Sequence, residues 1–411
     1  MVVGTIFSAP GQTIGVSVFT DHLIVALKIN RLSISTAYMV GTILSSLIIG
    51  YAGIALDRIG IRPVAALASF GLGFTLLYMS KIDYIISIFT NLTTSRWSHI
   101  ITMILITSGF LAMRFFGQGV LTLASRTILM EWFVKRRGRI NGIAGVFISL
   151  MFSGAPLIFE KLINAYSWRG AWQILGIVIG IGVTLFILLF FRDKPENCGL
   201  KPDGFIEKKS TETTSIIEND FTLKEAGKTY IFWIYNLALS MFSLVMTAAT
   251  FHIVSIFKTH NMAREEAISI FLPTAVISLI LHLIVGVLSD YTSLKYYLFL
   301  IIGGLILSLS GILMLDTPWG KYMIIAGNGI AGGMFGTLST VAWPKFFGRK
   351  HLGAIGGLSM QFLVFFSAIG PFLFGLSYNI TKTYDASIIA CIFVLIILLA
   401  FALKPHELER G

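Results

Sequence analysis

The chain has 411 residues, of which 55% are hydrophobic and only 12% charged. A water-soluble domain carries about 25% charged residues, so a soluble globule is excluded and lipid is the solvent to consider. The net charge of +11 does not mark a nucleic-acid binder, because the basic residues lie in short gaps between apolar runs, where positive-inside bias puts them.

A membrane-crossing helix needs about 20 mostly apolar residues. In chain order, the predicted spans cover 2–27, 34–56, 63–80, 99–125, 140–163, 170–191, 229–253, 265–288, 296–315, 321–342, 354–378 and 386–403. The reading is an all-α, multi-pass membrane protein with twelve transmembrane helices. The first run is too long for a signal-peptide core and lacks a basic leader, so it is read as a span. An even count puts both termini on one side. With the termini cytoplasmic, inner segments hold most of the 31 Lys and Arg, and KRRGR at 135–139 is the densest cluster. Residues 81–98, KIDYIISIFTNLTTSRWS, contain too short an apolar core to cross and are read as an outer loop. The hydrophilic stretch 192–228 divides the chain into a six-helix bundle at 1–191 and another at 229–411. It is expected to be a flexible cytoplasmic loop, with KEAGKTY near its end forming a short surface helix. Cys198 lies in that loop and Cys391 in the last apolar run, so no disulfide is expected.

Three echoes mark an internal repeat. GIALDR at 53–58 returns as GVLSDY at 286–291, each after the second span of its half. WFVKRRGRINGI at 132–143 returns as WPKFFGRKHLGAI at 343–355, and SGAP at 153–156 as AIGP at 368–371. The offsets are 233, 211 and 215 residues. Two similar bundles in parallel orientation follow, an arrangement in which transporters bind substrate near the bilayer midplane.

The G-x-x-x-D-R-x-G-x-R segment at 53–62 and RFFGQG at 114–119 resemble motifs of the major facilitator superfamily, and the likeness covers nearly the whole chain. WFVKRRGRINGI and YSWRGAWQILG look most similar to its monocarboxylate and oxalate–formate branch. The resemblance implies that the first stretch is a conformational latch, made by Gly53, Asp57, Arg58 and Arg62, with Gly286 and Asp290 as its repeat. Asp57 suits the positive end of the third span, and Arg126 at the inner end of span four is its expected partner. The plainer alternative is that Arg62 is an ordinary cytoplasmic anchor.

Arg114 lies within a span. An arginine at helix centre costs roughly 2.5–3.5 kcal/mol on insertion scales, so it should face the protein interior and attract an anion or a neighbour's proton; the alternative is a structural ion pair. His282 stands where the resembled branch has an arginine for the substrate carboxylate, and it can bind an anion only when protonated. A packing role is the competing reading. Gln12 follows Pro10-Gly11, which should break the first helix and expose backbone groups. Gln118, Gln361, Asn236 and Thr247 are further lining candidates. Asp21 and His22 form either a proton relay or an interfacial pair facing water. Pro156 and Pro371 fit an exchanger-type glycine–proline pattern or simple kinks.

GNGIAG at 327–332 lies inside an apolar run without a preceding strand, so it is no dinucleotide fingerprint; its glycines suit close helix packing. No nucleotide-binding loop, zinc spacing or nucleophile elbow occurs, and no cofactor or metal is expected. Asn91 and Asn379 head glycosylation sequons that matter only in a eukaryotic source. The expected function is alternating-access transport of a small organic solute, an anion by the evidence of Arg114, with a proton or counter-substrate and the lipid bilayer as partners, and with the protein monomeric. Rival readings are an exporter of drugs or neutral or cationic metabolites, a non-transporting sensor, and an intramembrane enzyme, for which no paired catalytic groups are found.

Overall fold

The computed structural model describes residues 1–90, 95–204 and 220–404. Their regular structure is helical. In chain order the α-helices are α1 (Val2–Phe7), α2 (Thr13–Leu27), α3 (Arg31–Ile59), α4 (Ile61–Ser80), α5 (Ile82–Thr90), α6 (Ser95–Met113), α7 (Thr122–Trp132), α8 (Arg137–Ile177) and α9 (Thr184–Phe190). There follow α10 (Leu223–Ala226), α11 (Tyr230–Thr259), α12 (Arg264–Ser269), α13 (Phe271–Leu288), α14 (Leu294–Leu313), α15 (Gly320–Phe347), α16 (Leu352–Thr381) and α17 (Asp385–Ala402). A π-helix, Arg114–Leu121, joins α6 to α7, and another, Val178–Val183, joins α8 to α9. Among the described residues, ten helices are long and apolar enough to cross a membrane.

Two expected spans differ from simple rods. The first is interrupted: α1 ends at Phe7, a 3₁₀ turn covers Ala9–Gly11, and Gln12 is extended (φ −87°, ψ 162°) before α2 begins. The continuous stretch Arg137–Phe190 has 54 residues, about 80 Å of helix at 1.5 Å per residue. That is far more than a hydrocarbon core of about 30 Å. It is broken at Ser167, whose backbone is left-handed (φ 64°, ψ 166°). The expected spans 140–163 and 170–191 lie on either side of that break.

Local chemistry sets the helix ends. Asn30 accepts from the Ser33 amide to start α3, Thr229 from the Phe232 amide to start α11, and Thr222 with Glu225 forms a capping box on α10. Gly60 (φ 106°) makes the corner between α3 and α4, a conformation open to glycine alone at low cost. The 81–98 segment is not wholly a loop. It contains α5, which buries Ile82 and Ile86 and leaves Tyr84, Ile88 and Phe89 exposed, because IISIF is long enough for an amphipathic surface helix though not for a crossing. Asn91 of the first sequon and residues 205–219 of the expected flexible loop lie outside the described residues, whereas Asn379 is exposed on the last turn of α16.

By their contacts the described residues form two compact units. One comprises 1–132, 147–204 and 356–361; the other comprises 133–146, 220–355 and 362–404. In the first, Phe19 stacks on Trp172 at 4.6 Å and Trp168 meets Trp172 edge-on at 5.5 Å. In the second, α14 and α15 touch backbone to backbone. A Cβ on Gly304 would lie 2.9 Å from the Gly327 carbonyl, and one on Gly327 only 2.5 Å from the Ser308 amide. Gly329 and Gly333 similarly admit Ile277 and Leu281 of α13, so the GNGIAG glycines serve helix packing.

Two outcomes follow. Gly304→Val should lower stability by about 1–3 kcal/mol through overpacking, read as a drop in thermal midpoint in detergent. Gly303→Ala should be silent, since nothing lies within 4 Å of a Cβ there. Equal behaviour of the two would refute the packing account. The second outcome concerns α5. Burial pushes the Asp83 carboxyl up, but the hydrogen bond and charge of Arg169 more than offset this, so it sits below the ordinary carboxylate range. Stability from this pair is therefore present above about pH 4 and lost as pH falls through the lowered value. Asp83→Asn and the parent chain should differ in thermal midpoint near neutrality and converge at about pH 2.

Candidate functional site

The break in the first span and the π-helix at Arg114 form one structure. Gly11 and Gly117 touch: a Cβ on Gly117 would lie 2.8 Å from the Gly11 Cα. A π-helix inserts an extra residue into a helical turn and re-aims its side chains. Here it turns Arg114 toward the broken segment. Arg114 is 1% exposed. Its Nη1 donates to the Gly11 carbonyl at 3.4 Å and to Thr13 Oγ1 at 3.3 Å. Its guanidinium carbon sits 5.2 Å from the centre of the Tyr38 ring, and Tyr38 Oη donates to Thr13 Oγ1 at 2.9 Å. Arg114 Nε is buried without a hydrogen-bond partner, and no ion pair to Arg114 occurs among the described residues. Thr13 is the exposed edge of this group.

Gln12, at the break, ties the segment to α7. Its Nε2 donates to Ser8 Oγ (3.1 Å) and to Thr122 Oγ1 (3.2 Å), and the Thr122 hydroxyl reaches the Gly117 carbonyl at 3.2 Å. The structure thus brings together Gln12, Arg114 and the π-helix that carries Gln118. Gln118 Oε1 is buried and unpartnered. Two unsatisfied polar atoms on one π-helix, one of them cationic, are expensive in hydrocarbon.

The other predicted residues lie elsewhere. Asp21 pairs with Arg31 in an exposed contact, beside a half-buried His22. His282 Nε2 lies 3.3 Å from the Asn141 carbonyl, and its ring fills a slot that a side chain on Gly145 or Gly336 would occupy. Asn236 is fully buried with neither amide atom partnered. Thr247 bonds back to the Ser243 carbonyl of its own helix. Gln361 lays its amide on Gly50, where a Cβ would be 2.7 Å from Oε1.

The glycine-aspartate stretches sit at close helix crossings. In the first unit, Gly357 would place a Cβ 2.9 Å from the Gly53 Cα; in the second, Gly286 would place one 3.0 Å from the Gly142 Cα. Asp290 then caps α8: its Oδ1 accepts from the Gly138 amide at 2.8 Å and its Oδ2 from the Arg139 amide at 3.3 Å. Asp57 is half-buried, as is Arg126, while Arg58 is exposed. The Arg62 amide donates to Asp193 Oδ1 at 2.6 Å, and the Arg62 guanidinium to the Leu188 carbonyl. Sequence reasoning missed Asp193, which caps a helix 131 residues away in the chain. It also missed Glu131, a 4% exposed acid in α7, and His252.

A sequence profile of the Major Facilitator Superfamily matches residues 1–371. The chain belongs to the Major Facilitator Superfamily. Members are transporters and not enzymes, and the chain is an integral, multi-pass membrane protein. No match was found among curated proteins. Among solved structures, a bacterial homologue of the iron transporter ferroportin, outward-facing and soaked with iron, is 14% identical over 98% of this chain and 97% of its own, with a TM-score of 0.70. The proton:xylose symporter XylE is 12% identical over 97% and 93%, at 0.69. The human organic anion transporter MFSD10 is 11% identical over 98% and 97%, at 0.60. At such identities the likeness is one of fold. The findings support the superfamily and not the monocarboxylate and oxalate–formate branch. The stretches that suggested the branch have structural roles: the amides of Gly138 and Arg139 are held by Asp290, and the 168–172 tryptophans are packed core.

In this superfamily protein, Asp290→Ala should cost about 0.5–2 kcal/mol, the range for a lost helix cap, seen as a lower thermal midpoint. Asp290→Asn keeps an acceptor oxygen and should lose less. An unchanged midpoint in the alanine variant would show that water replaces the cap.

Proposed function

We propose that this chain is a secondary transporter that moves a small organic anion, such as a carboxylate, by alternating access, driven by a proton gradient or by exchange. The proposal includes twelve crossings, with Arg137–Phe190 counted twice and the broken first segment once, two six-helix bundles at 1–191 and 229–411, both termini cytoplasmic, and a monomer. The observation that carries it is Arg114. A buried guanidinium held by two long hydrogen bonds to neutral oxygens, with one nitrogen unpartnered, is a cation short of an anion. Charge-assisted bonds to a carboxylate are the strong way to complete it. The solved neighbours are named for iron, a sugar and organic anions, so the fold leaves the substrate open, and the charge of Arg114 is what supports an anion. Thr13, exposed and already bonded to Arg114, is the side from which an anion would arrive, with Gln12 and Gln118 as neighbours.

Gly53, Asp57, Arg58, Arg62 and Arg126, with Gly286 and Asp290, are read as the conformational latch. Support comes from Asp290, whose bonds to the α8 amides can break and re-form without unfolding a helix.

Uptake into proteoliposomes across a panel of small carboxylates, with and without a pH gradient, tests the reading. Arg114→Ala should raise KM by roughly ten- to a hundredfold, the worth of charge-assisted hydrogen bonds, and Arg114→Lys should recover part of the loss. Undiminished uptake by Arg114→Ala would assign the anion to another site.

A further inference from the structure

Helix α11 carries a polar cluster that this reading does not use. A Cβ on Gly370 would strike the Leu244 carbonyl, so α16 approaches α11 closely enough for His252 to reach it. His252 Nε2 lies 2.9 Å from the Pro371 carbonyl, and Nδ1 lies 3.4 Å from Tyr384 Oη. Tyr384 is 3% exposed and donates to Ser255 Oγ at 2.8 Å. Its ring is fixed by Tyr378, stacked at 5.1 Å, and Phe374 at 6.3 Å.

The partners decide the proton positions. A carbonyl oxygen only accepts, so Nε2 carries hydrogen in every state and Nδ1 is the titrating atom. In the neutral ring, Tyr384 can turn its hydroxyl to the Nδ1 lone pair. When a proton adds to Nδ1, the new N–H donates to Tyr384 Oη and the tyrosine hydrogen points to Ser255. Both protonation states are thus satisfied by rotating one hydroxyl, and neither leaves a buried polar atom unpaired. Ionisable side chains inside spanning helices are costly and mark proton relays.

We propose that His252 is a proton-binding site of the second compact unit, with Tyr384 and Ser255 as its hydroxyl relay. The proposal rests on the transporter reading and adds the coupling ion to it. Besides His252, the titratable groups facing this spot are Tyr384 and Tyr378. From α16 the facing groups are the Pro371 carbonyl and Gly375. Lys258, Lys382, Asp385, the exposed Glu265 and Glu266, and the His260–Asp316 pair at 2.9 Å lie further along the same or adjoining elements.

The proton is its own probe. Protein labelled with ¹⁵N-histidine in nanodiscs should show one ring among the seven histidines that titrates and is absent in His252→Gln. Tyr384→Phe should weaken proton binding at that ring by about tenfold, the loss of one hydrogen bond to a charged group. Because Tyr384→Phe keeps the packing rings, it decides the matter even if His252→Gln does not fold. A His252 ring that stays neutral from about pH 4 to about pH 9, or is indifferent to Tyr384→Phe, overturns the proposal. In proteoliposomes with radiolabelled lactate, oxalate and succinate, His252→Gln should lose gradient-driven accumulation at least about tenfold while retaining exchange without a gradient. Unchanged accumulation also overturns it. If the parent chain moves none of these acids, the carboxylate reading fails, and the titration still decides the proton site.

Discussion

In hydrocarbon every backbone amide and carbonyl must find its partner within the protein. A regular helix meets that demand by itself; a broken one must recruit help. Where the first span breaks, the Gly11 carbonyl takes a hydrogen from Arg114. In the π-helix the Gly117 carbonyl takes one from Thr122. At the proline of α16, whose missing N–H frees the carbonyl four residues back, the adjacent Pro371 carbonyl faces His252. Each irregularity draws a polar or ionisable side chain into the membrane and holds it in place. The anion and proton sites proposed above therefore lie where the helices are imperfect.

The same demand acts at helix starts, where the first amides have no intrahelical acceptor. Two of these starts are served by carboxylates from distant parts of the chain, Asp193 on the Arg62 amide and Asp290 on those of Gly138 and Arg139; Asp220 holds the amides of Arg349 and Lys350 in the turn that leads into α16. The basic side chains that crowd these turns are not the groups the carboxylates hold through these bonds; the backbone is. A carboxylate at a helix N-terminus also meets the positive end of the macrodipole. Such contacts are directional and short, and they release without repacking a core, which suits a latch better than a buried ion pair does.

Long helices were legible because hydrophobic run length is a local property. The weak point at Pro10-Gly11 was legible for the same reason, as was Arg114, an isolated charge in an apolar run. The π-helix was not, since RFFGQG contains nothing that forbids a regular turn, and the contact of Gly117 with Gly11 is made between segments far apart in the chain. α5 was read as part of a loop because its apolar stretch was measured against the span of a bilayer rather than against a surface. His252 escaped notice because its partners are a carbonyl 119 residues away and a tyrosine 132 away. Asp193 and Asp220 sit in hydrophilic sequence where acids are ordinary, and only the fold shows which amides they reach.

The repeat separates shape from chemistry. Gly53 and Gly286 are 233 residues apart and Gly142 and Gly357 are 215 apart, and each unit contains one crossing of such a pair at nearly the same closeness. Backbone-to-backbone contact tolerates no side chain, so geometry keeps these positions alike. Asp57 has its counterpart in Asp290, but Arg114 and His252 are not duplicated. The offset that aligns Trp132 with Trp343 sets Ile325 against Arg114, and the offset that aligns Gly53 with Gly286 sets Phe19 against His252. Phe19 is fully buried and stacked on Trp172, where an imidazole would lose both its packing and its partners. A buried charge must bring its own solvating groups, and each such set costs stability. Placing Arg114 in one unit and His252 in the other spares each unit a second such set.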